Sequence, residues 1–274
     1  MANRSARAML LSVIVGLLSS ACHGGFNYLE RDAPRYWQQV PPGQPTRSRG
    51  DTLRVVTFNI AFARNIDSAI VVLSNDAMLR RADVVLLQEM TASATQRIAS
   101  ALQMGYVYYP AIFHYRSAQD FGNAVLSRWP IVGDDKLILP HRSRYASTQR
   151  SATAVTLQVD SVRVRVYSTH LGTPADIGAG ARREQLETIV ADSKAFVYVI
   201  LGGDMNSSSL SDIARAGGFA WPTEHEARTT RFGAWDHLLV RGLEIPVHNV
   251  AGISERSAGV SDHRAVWASV LLPQ

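Results

Sequence analysis

The sequence predicts an α/β domain of two packed β-sheets under flanking helices, running from Asp51 to the C-terminus. Three observations predict it. From Asp51 onward, apolar runs of strand length alternate with longer stretches of helical period, with no internal repeat or low-complexity segment. The middle of the chain is rich in strands, too many for one small sheet. With 274 residues, 46% apolar and 19% charged, the chain can bury a full core, and it is long enough to carry an N-terminal extension besides.

The extension comes first. Arg4 and Arg7 precede the apolar run Ala8 to Leu18, followed by Ser19-Ser20-Ala21 and then Cys22. Residues 1–21 therefore read as a signal peptide; the run is shorter than the roughly 20 apolar residues of a membrane-spanning helix. Cys22 is the only cysteine, which excludes an intramolecular disulfide. The small residues before it resemble a bacterial lipobox, although Ser19 stands where that motif usually has Leu. Cys22 is then the expected lipidation site and membrane anchor, with cleavage after Ala21 and a free Cys22 as the alternative. Either reading sends the protein out of the cytosol, anchored or secreted. Residues 22–50, with Pro41-Pro42-Gly43, Pro45 and scattered arginines, read as a tether. The formal charge of +5 falls by two when Arg4 and Arg7 leave, a mild value that a solvated surface explains.

Within the domain, Leu53 to Phe58 and Asp83 to Leu87 have the β-branched, apolar character of buried strands, with a helix expected over Ile66 to Arg80 between them. Ala92 to Gln103 reads as a helix. Strands follow at Tyr106 to Phe113, Gly122 to Ser127, Ser151 to Val159 and Val162 to Ser168. In Val162-Arg163-Val164-Arg165-Val166 the alternation is strict, which predicts one buried face and arginines turned to solvent. A helix from Ala181 to Lys194 precedes a strand at Phe196 to Leu201, and later strands cover Trp235 to Val240 and Ala265 to Leu272.

Residues able to do chemistry recur at the expected downstream ends of these strands: Asn59, Glu89, His170, Asp204 with Asn206, Asp236, and Asp262 with His263. In a layered α/β protein such ends gather into a site. The segments Thr57-Phe58-Asn59-Ile60, Leu87-Gln88-Glu89, Gly122-Asn123-Ala124-Val125-Leu126-Ser127, Ser168-Thr169-His170-Leu171, Gly202-Gly203-Asp204-Met205-Asn206, Asp236-His237 and Ser261-Asp262-His263 occur in the order of the motifs of the endonuclease/exonuclease/phosphatase superfamily, which the chain resembles from Asp51 to Val270. The resemblance implies a four-layered α/β sandwich, a divalent metal, usually Mg2+ with Mn2+ or another divalent ion as alternatives, and hydrolysis of a phosphate ester.

Phosphoester cleavage needs an anion neutralised, a water positioned and a leaving oxygen stabilised. Glu89 is the leading metal ligand, since a hard cation needs only one or two carboxylates. Asn59 is assigned to hold Glu89 or a water of the ion, and Asp262 to add to the metal site. By the resemblance, Asp204 orients or deprotonates the attacking water and Asn206 holds the phosphate. His170 and His263 are expected to donate hydrogen bonds to phosphate oxygens, charged near neutral pH, with Asp236 orienting His263. Either Asp204 or the Asp236–His263 pair can serve as the base. His237, His114, His141, His225 and His248 are left structural, Asn123 is expected to shape the site, and the Trp and Tyr residues are assigned to core and rim.

Some nuclease members carry a second acidic residue two positions after the first-motif Asn, where this chain has Ala61. That departure, with export, argues against abasic-site repair. The leading expectation is a monomeric extracytoplasmic phosphodiesterase acting on nucleic acid. A phospholipid or small-phosphoester hydrolase, sphingomyelinase-like, is the alternative. A non-catalytic binding module on this fold is the third reading, and the complete residue set argues against it.

Overall fold

The structure, a computed structural model, describes residues 25–41, 52–248 and 250–273. The expected signal peptide, Cys22 and the second half of the expected tether lie outside the described residues. The described chain forms thirteen strands: β1 (Gly25–Asn27), β2 (Tyr36–Gln38), β3 (Thr52–Asn59), β4 (Val84–Met90), β5 (Gly105–His114), β6 (Gln119–Ser127), β7 (Ile131–Arg142), β8 (Gln149–Val159), β9 (Val162–His170), β10 (Tyr198–Asp204), β11 (Asp236–Arg241), β12 (Ala251–Ile253) and β13 (Val266–Leu271). Four α-helices accompany them: α1 (Ile66–Asn75), α2 (Ala92–Leu102), α3 (Ala179–Ser193) and α4 (Ser211–Ala216). No described helix is long and apolar enough to cross a membrane.

One sheet has the order β1-β5-β6-β4-β3-β13-β12, with β2 also on β5; the other runs β11-β10-β9-β8-β7. Alternation along the strands builds four layers. On β3, Leu53 and Val55 enter the core between the sheets while Val56 and Phe58 face α1 and α2. On β9, Val164 and Val166 enter that central core and Tyr167 faces α3 and α4. The four-layered sandwich is therefore as expected, and each sheet is buried on both faces.

Three expectations need correction. Residues 25–41 are not a tether: β1 and β2 both pair antiparallel with β5, covering what would be an open edge. Lys136, fully buried, donates to Ala33 O at 2.7 Å, and Arg35 makes two 2.6 Å hydrogen bonds to Asp134. Arg165 is not turned to solvent but buried, because the outward face of β9 lies under the helix layer; Asp135 pairs with it and Tyr167 and Phe196 flank its guanidinium. The first helix ends at Asn75 rather than Arg80, since the Asp76 carboxylate accepts from Met78 N and Leu79 N and turns the chain.

Candidate active site

The same alternation that fills the central core delivers the polar residues at its end. Following Leu53 and Val55, Thr57 and Asn59 continue the inward face of β3; following Val164 and Val166, Ser168 and His170 continue that of β9. Asp204 falls in phase with Ile200 on β10, and Asp236 with Leu238 and Val240 on β11. Beneath the site a buried relay joins the sheets, Thr57 Oγ1 donating to Gln88 Oε1 and Gln88 Nε2 to Ser168 Oγ.

Glu89 breaks this phase. Regular alternation would aim it at the helices with Val85 and Leu87, but a bulge between Leu87 and Met90 gives it a left-handed φ of 61°. Its carboxylate thereby meets Asn59 Nδ2 at 3.3 Å and Phe62 N at 2.8 Å. Ala61, Phe62 and Ala63 all have positive φ, so the turn that offers this N–H is itself strained. Asp236 opens β11 rather than closing a strand; antiparallel register places it directly opposite Asp204 at the end of β10. Gly203 makes that end possible. Its φ is 145°, and a Cβ there would lie 1.8 Å from Thr169 O.

Asp204 Oδ2 is the hub. Asn59 Nδ2 lies 3.1 Å away, His170 Nε2 3.3 Å and His263 Nε2 3.6 Å, while Asp204 Oδ1 accepts from Asn206 N at 2.9 Å. Asp236 Oδ2 holds His263 Nδ1 at 2.8 Å. The His263 loop is moored by Ser261, whose hydroxyl donates to Asn59 O and accepts from His263 N. Thr229 performs the same service for β11, its hydroxyl accepting from Asp236 N. Asn206 spends one amide proton on Leu171 O and lines the cavity. Asp262 is exposed at the rim. The structure thus gathers all eight residues expected for metal binding or catalysis, and Asn123 instead ties β6 to β8 through Ser151 O.

Burial and crowding set the charges. Burial, then the charge of Asp236, pushes Asp204 up to about 7, against His263 and the Asn206 N–H. Burial would lower His263, but the charge and hydrogen bond of Asp236, with Asp204 and Asp262, outweigh it and push it up to about 10. His170 departs from expectation: burial, reinforced by the charges of Arg150 and His263, holds it well below 6.5, so it is a neutral imidazole. Burial also raises Glu89, against Arg150 and the Phe62 N–H. Arg150 is the site residue that sequence reasoning passed over. It lies with its guanidinium 5.5 Å over the Phe121 ring, feeling the charges of Glu89 and Asp204, and it adds a second positive charge to that of His263. Nothing in its β-strand context marks it off from the neighbouring arginines.

The residues fit a divalent ion. The buried carboxylates of Asp204 and Asp236 stand opposite each other on β10 and β11, Asn59 Nδ2 links Asp204 to Glu89, and Asp236 Oδ1 is buried with no hydrogen-bond partner among the described residues. Ligand atoms of Asp204, Asp236 and His263 lie within 4.8 Å of one another. The cavity they open into measures about 870 Å³, with Thr173 and Pro174 on one wall and Phe232 and Trp235 on another.

No curated protein matches the chain by sequence. Several solved structures share its fold. An endonuclease/exonuclease/phosphatase family protein from Leptotrichia buccalis C-1013-b has 14% identity and a TM-score of 0.63, covering 80% of this chain and 99% of that one. Sphingomyelinase C from Streptomyces griseocarneus has 20% identity and a TM-score of 0.61 over the same shares. D. rerio TDP2 complexed with a single-strand DNA product has 14% identity and a TM-score of 0.62, covering 80% and 98%. The sequence model that matches residues 56–263 agrees with the geometry: the chain belongs to the Endonuclease/Exonuclease/phosphatase family.

Proposed function

We propose that the protein is a divalent-metal-dependent phosphodiesterase acting outside the cytosol on nucleic acid. The observation that carries the chemistry is the Asp204 hub, where one carboxylate oxygen meets Asn59, His170 and His263 at the end of the central core. Family membership supports a phosphoester substrate, and the TDP2 structure holding a single-strand DNA product supports a nucleic acid. The N-terminal Arg4, Arg7 and apolar run support export.

Glu89, Asn59 and, at the rim, Asp262 would hold the ion. The buried trio fits less well, because Asp236 keeps His263 protonated and a cationic imidazole does not ligate a metal. When bound, the ion, Mg2+ by preference for oxygen donors, neutralises phosphate charge and stabilises the developing negative charge on oxygen. The chain's own residues do the rest. Asp204, poised near 7, is the base that orients and deprotonates the attacking water. His263, aimed by Asp236 and charged at neutral pH, donates to a phosphate oxygen, as does the free amide proton of Asn206, while Arg150 adds positive charge from behind Glu89 and Asp204 without lining the cavity. His170, neutral, stands 3.3 Å from Asp204 Oδ2 and helps hold that carboxylate.

The test is hydrolysis by the full chain, with Mg2+ or a chelator, of plasmid DNA, RNA and sphingomyelin vesicles. Metal-dependent nicking is expected, lowered about 10²- to 10⁴-fold by His263→Ala or Asp204→Ala with the fold intact by circular dichroism. Near-full turnover in either variant would show the chemistry misplaced. Cleavage of sphingomyelin alone would shift the substrate to lipid, the reading that the sphingomyelinase C fold favours.

A further inference from the structure

Beside His263 the active-site cavity continues into a second one of about 570 Å³, the two sharing Thr230, Arg231, Asp262 and His263. The lining of the second differs in charge. Arg228, Arg231 and Arg264 face it against the single carboxylate of Asp262, which stands at the junction. Arg264 is paired with Glu255, leaving Arg228 and Arg231 as the arginines available to an anion, with His263 at the junction engaged by Asp236. On the active-site side, next to the shared Arg231, Phe232 lies nearly parallel to Trp235, at 15° and 5.3 Å between centroids, with the Arg231 guanidinium 4.5 Å over its ring. Phe232 is 61% exposed, an unusual outlay of apolar surface at the mouth of a polar site.

A planar layer of arginine and two aromatics is what a nucleobase stacks against, and the arginine pocket one step away is where the next phosphate of a strand would fall. The same layer is poorly suited to a choline headgroup. A quaternary ammonium needs an aromatic face clear of other cations, whereas Phe232, the most exposed ring lining this mouth, already carries Arg231. We infer that residues 228–235 form a specificity subsite that stacks one base of a single nucleic-acid strand against the layer of Arg231, Phe232 and Trp235 and holds the adjoining phosphate with Arg228. This rests on the phosphodiesterase reading for its chemistry but concerns binding beyond the scissile phosphate.

The experiment uses the full chain as wild type, Phe232→Ala, Phe232→Tyr and Arg228→Ala. Anisotropy of a labelled short single-stranded oligodeoxynucleotide, titrated in chelator at several salt concentrations, reads binding without turnover. Phe232→Ala is expected to weaken it about tenfold and Phe232→Tyr to restore it. Arg228→Ala is expected to reduce the slope of log affinity against log salt by about one. With Mg2+, the ratio of kcat/KM for the oligonucleotide to that for ring-free glycerophosphocholine should fall about tenfold in Phe232→Ala. Unchanged anisotropy in Phe232→Ala overturns the subsite, as does a loss confined to sphingomyelin vesicles. If no phosphodiester is hydrolysed at all, the activity reading fails while anisotropy still decides this one.

Discussion

Asp236 and His263 form a hydrogen-bonded charge pair whose strength is measurable without substrate. His263 stands raised from 6.5 to about 10 in the folded chain, so its contribution to stability is complete below pH 6.5 and is lost as pH climbs through 10. In chelator, the unfolding free energy from urea titrations should therefore fall between pH 7 and pH 10. The Asp236→Asn variant should show a flatter curve, the two differing at the acid end of this range by on the order of a few kcal/mol. Parallel curves would remove the charge pair from the account. The identities of these residues were legible in the sequence because each sits in an ordered motif. Their ionisation was not, since it depends on who is buried beside whom: two histidines assigned the same charged role end with opposite shifts. Arg165 was misread for a related reason. Alternation on one strand reveals a second face but not what covers it.

The strand ends depend on close backbone approach, and the glycines show where that is obligatory. Gly203→Ala should cost on the order of 3 kcal/mol, because both its φ and the Thr169 carbonyl forbid a side chain. Gly180→Ala, in the exposed first turn of α3 with nothing near its Cβ, should instead stabilise by roughly 0.5 kcal/mol. Urea midpoints of the two variants, moving in opposite directions, would check both; a tolerated Gly203→Ala would mean that the end of β10 can be built another way. The central strands were readable because their burial on both faces makes continuous apolar runs. β7 was not foreseen: it carries Gly133-Asp134-Asp135-Lys136, which looks like a loop until Arg35, Arg165 and the buried Lys136 account for its charges. β1 and β2, three residues each, are too short to show any period.

At the scale of the whole molecule, residues 25–41 complete the first sheet. A chain begun at Asp51 would bare the edge of β5, ten residues long and mostly apolar, with Lys136 deprived of the Ala33 carbonyl. Such a truncation should melt at lower temperature and elute partly as aggregate on size exclusion. Melting and elution identical to the full chain would show that the strap is dispensable. The fold's outline came through from sequence because two sheets of alternating strands leave few ways to pack, whereas the strap is held by individual hydrogen bonds and pairs that no periodicity announces.

The strap also sets a distance. β1 pairs with Ile112 to His114; the His114 ring packs edge-on to Phe62, whose N–H meets Glu89, and Asn27 bonds to Gln149 and Ser147 next to Arg150. The chain thus enters the domain at its catalytic end, and only three peptide units separate Gly25 from Cys22. Fully stretched, they reach roughly 11 Å. If Cys22 carries the lipid, Gly25 is held within that reach of the anchor, so the end of the domain that bears the site is the end tied closest to the bilayer rather than one swinging free on a long line.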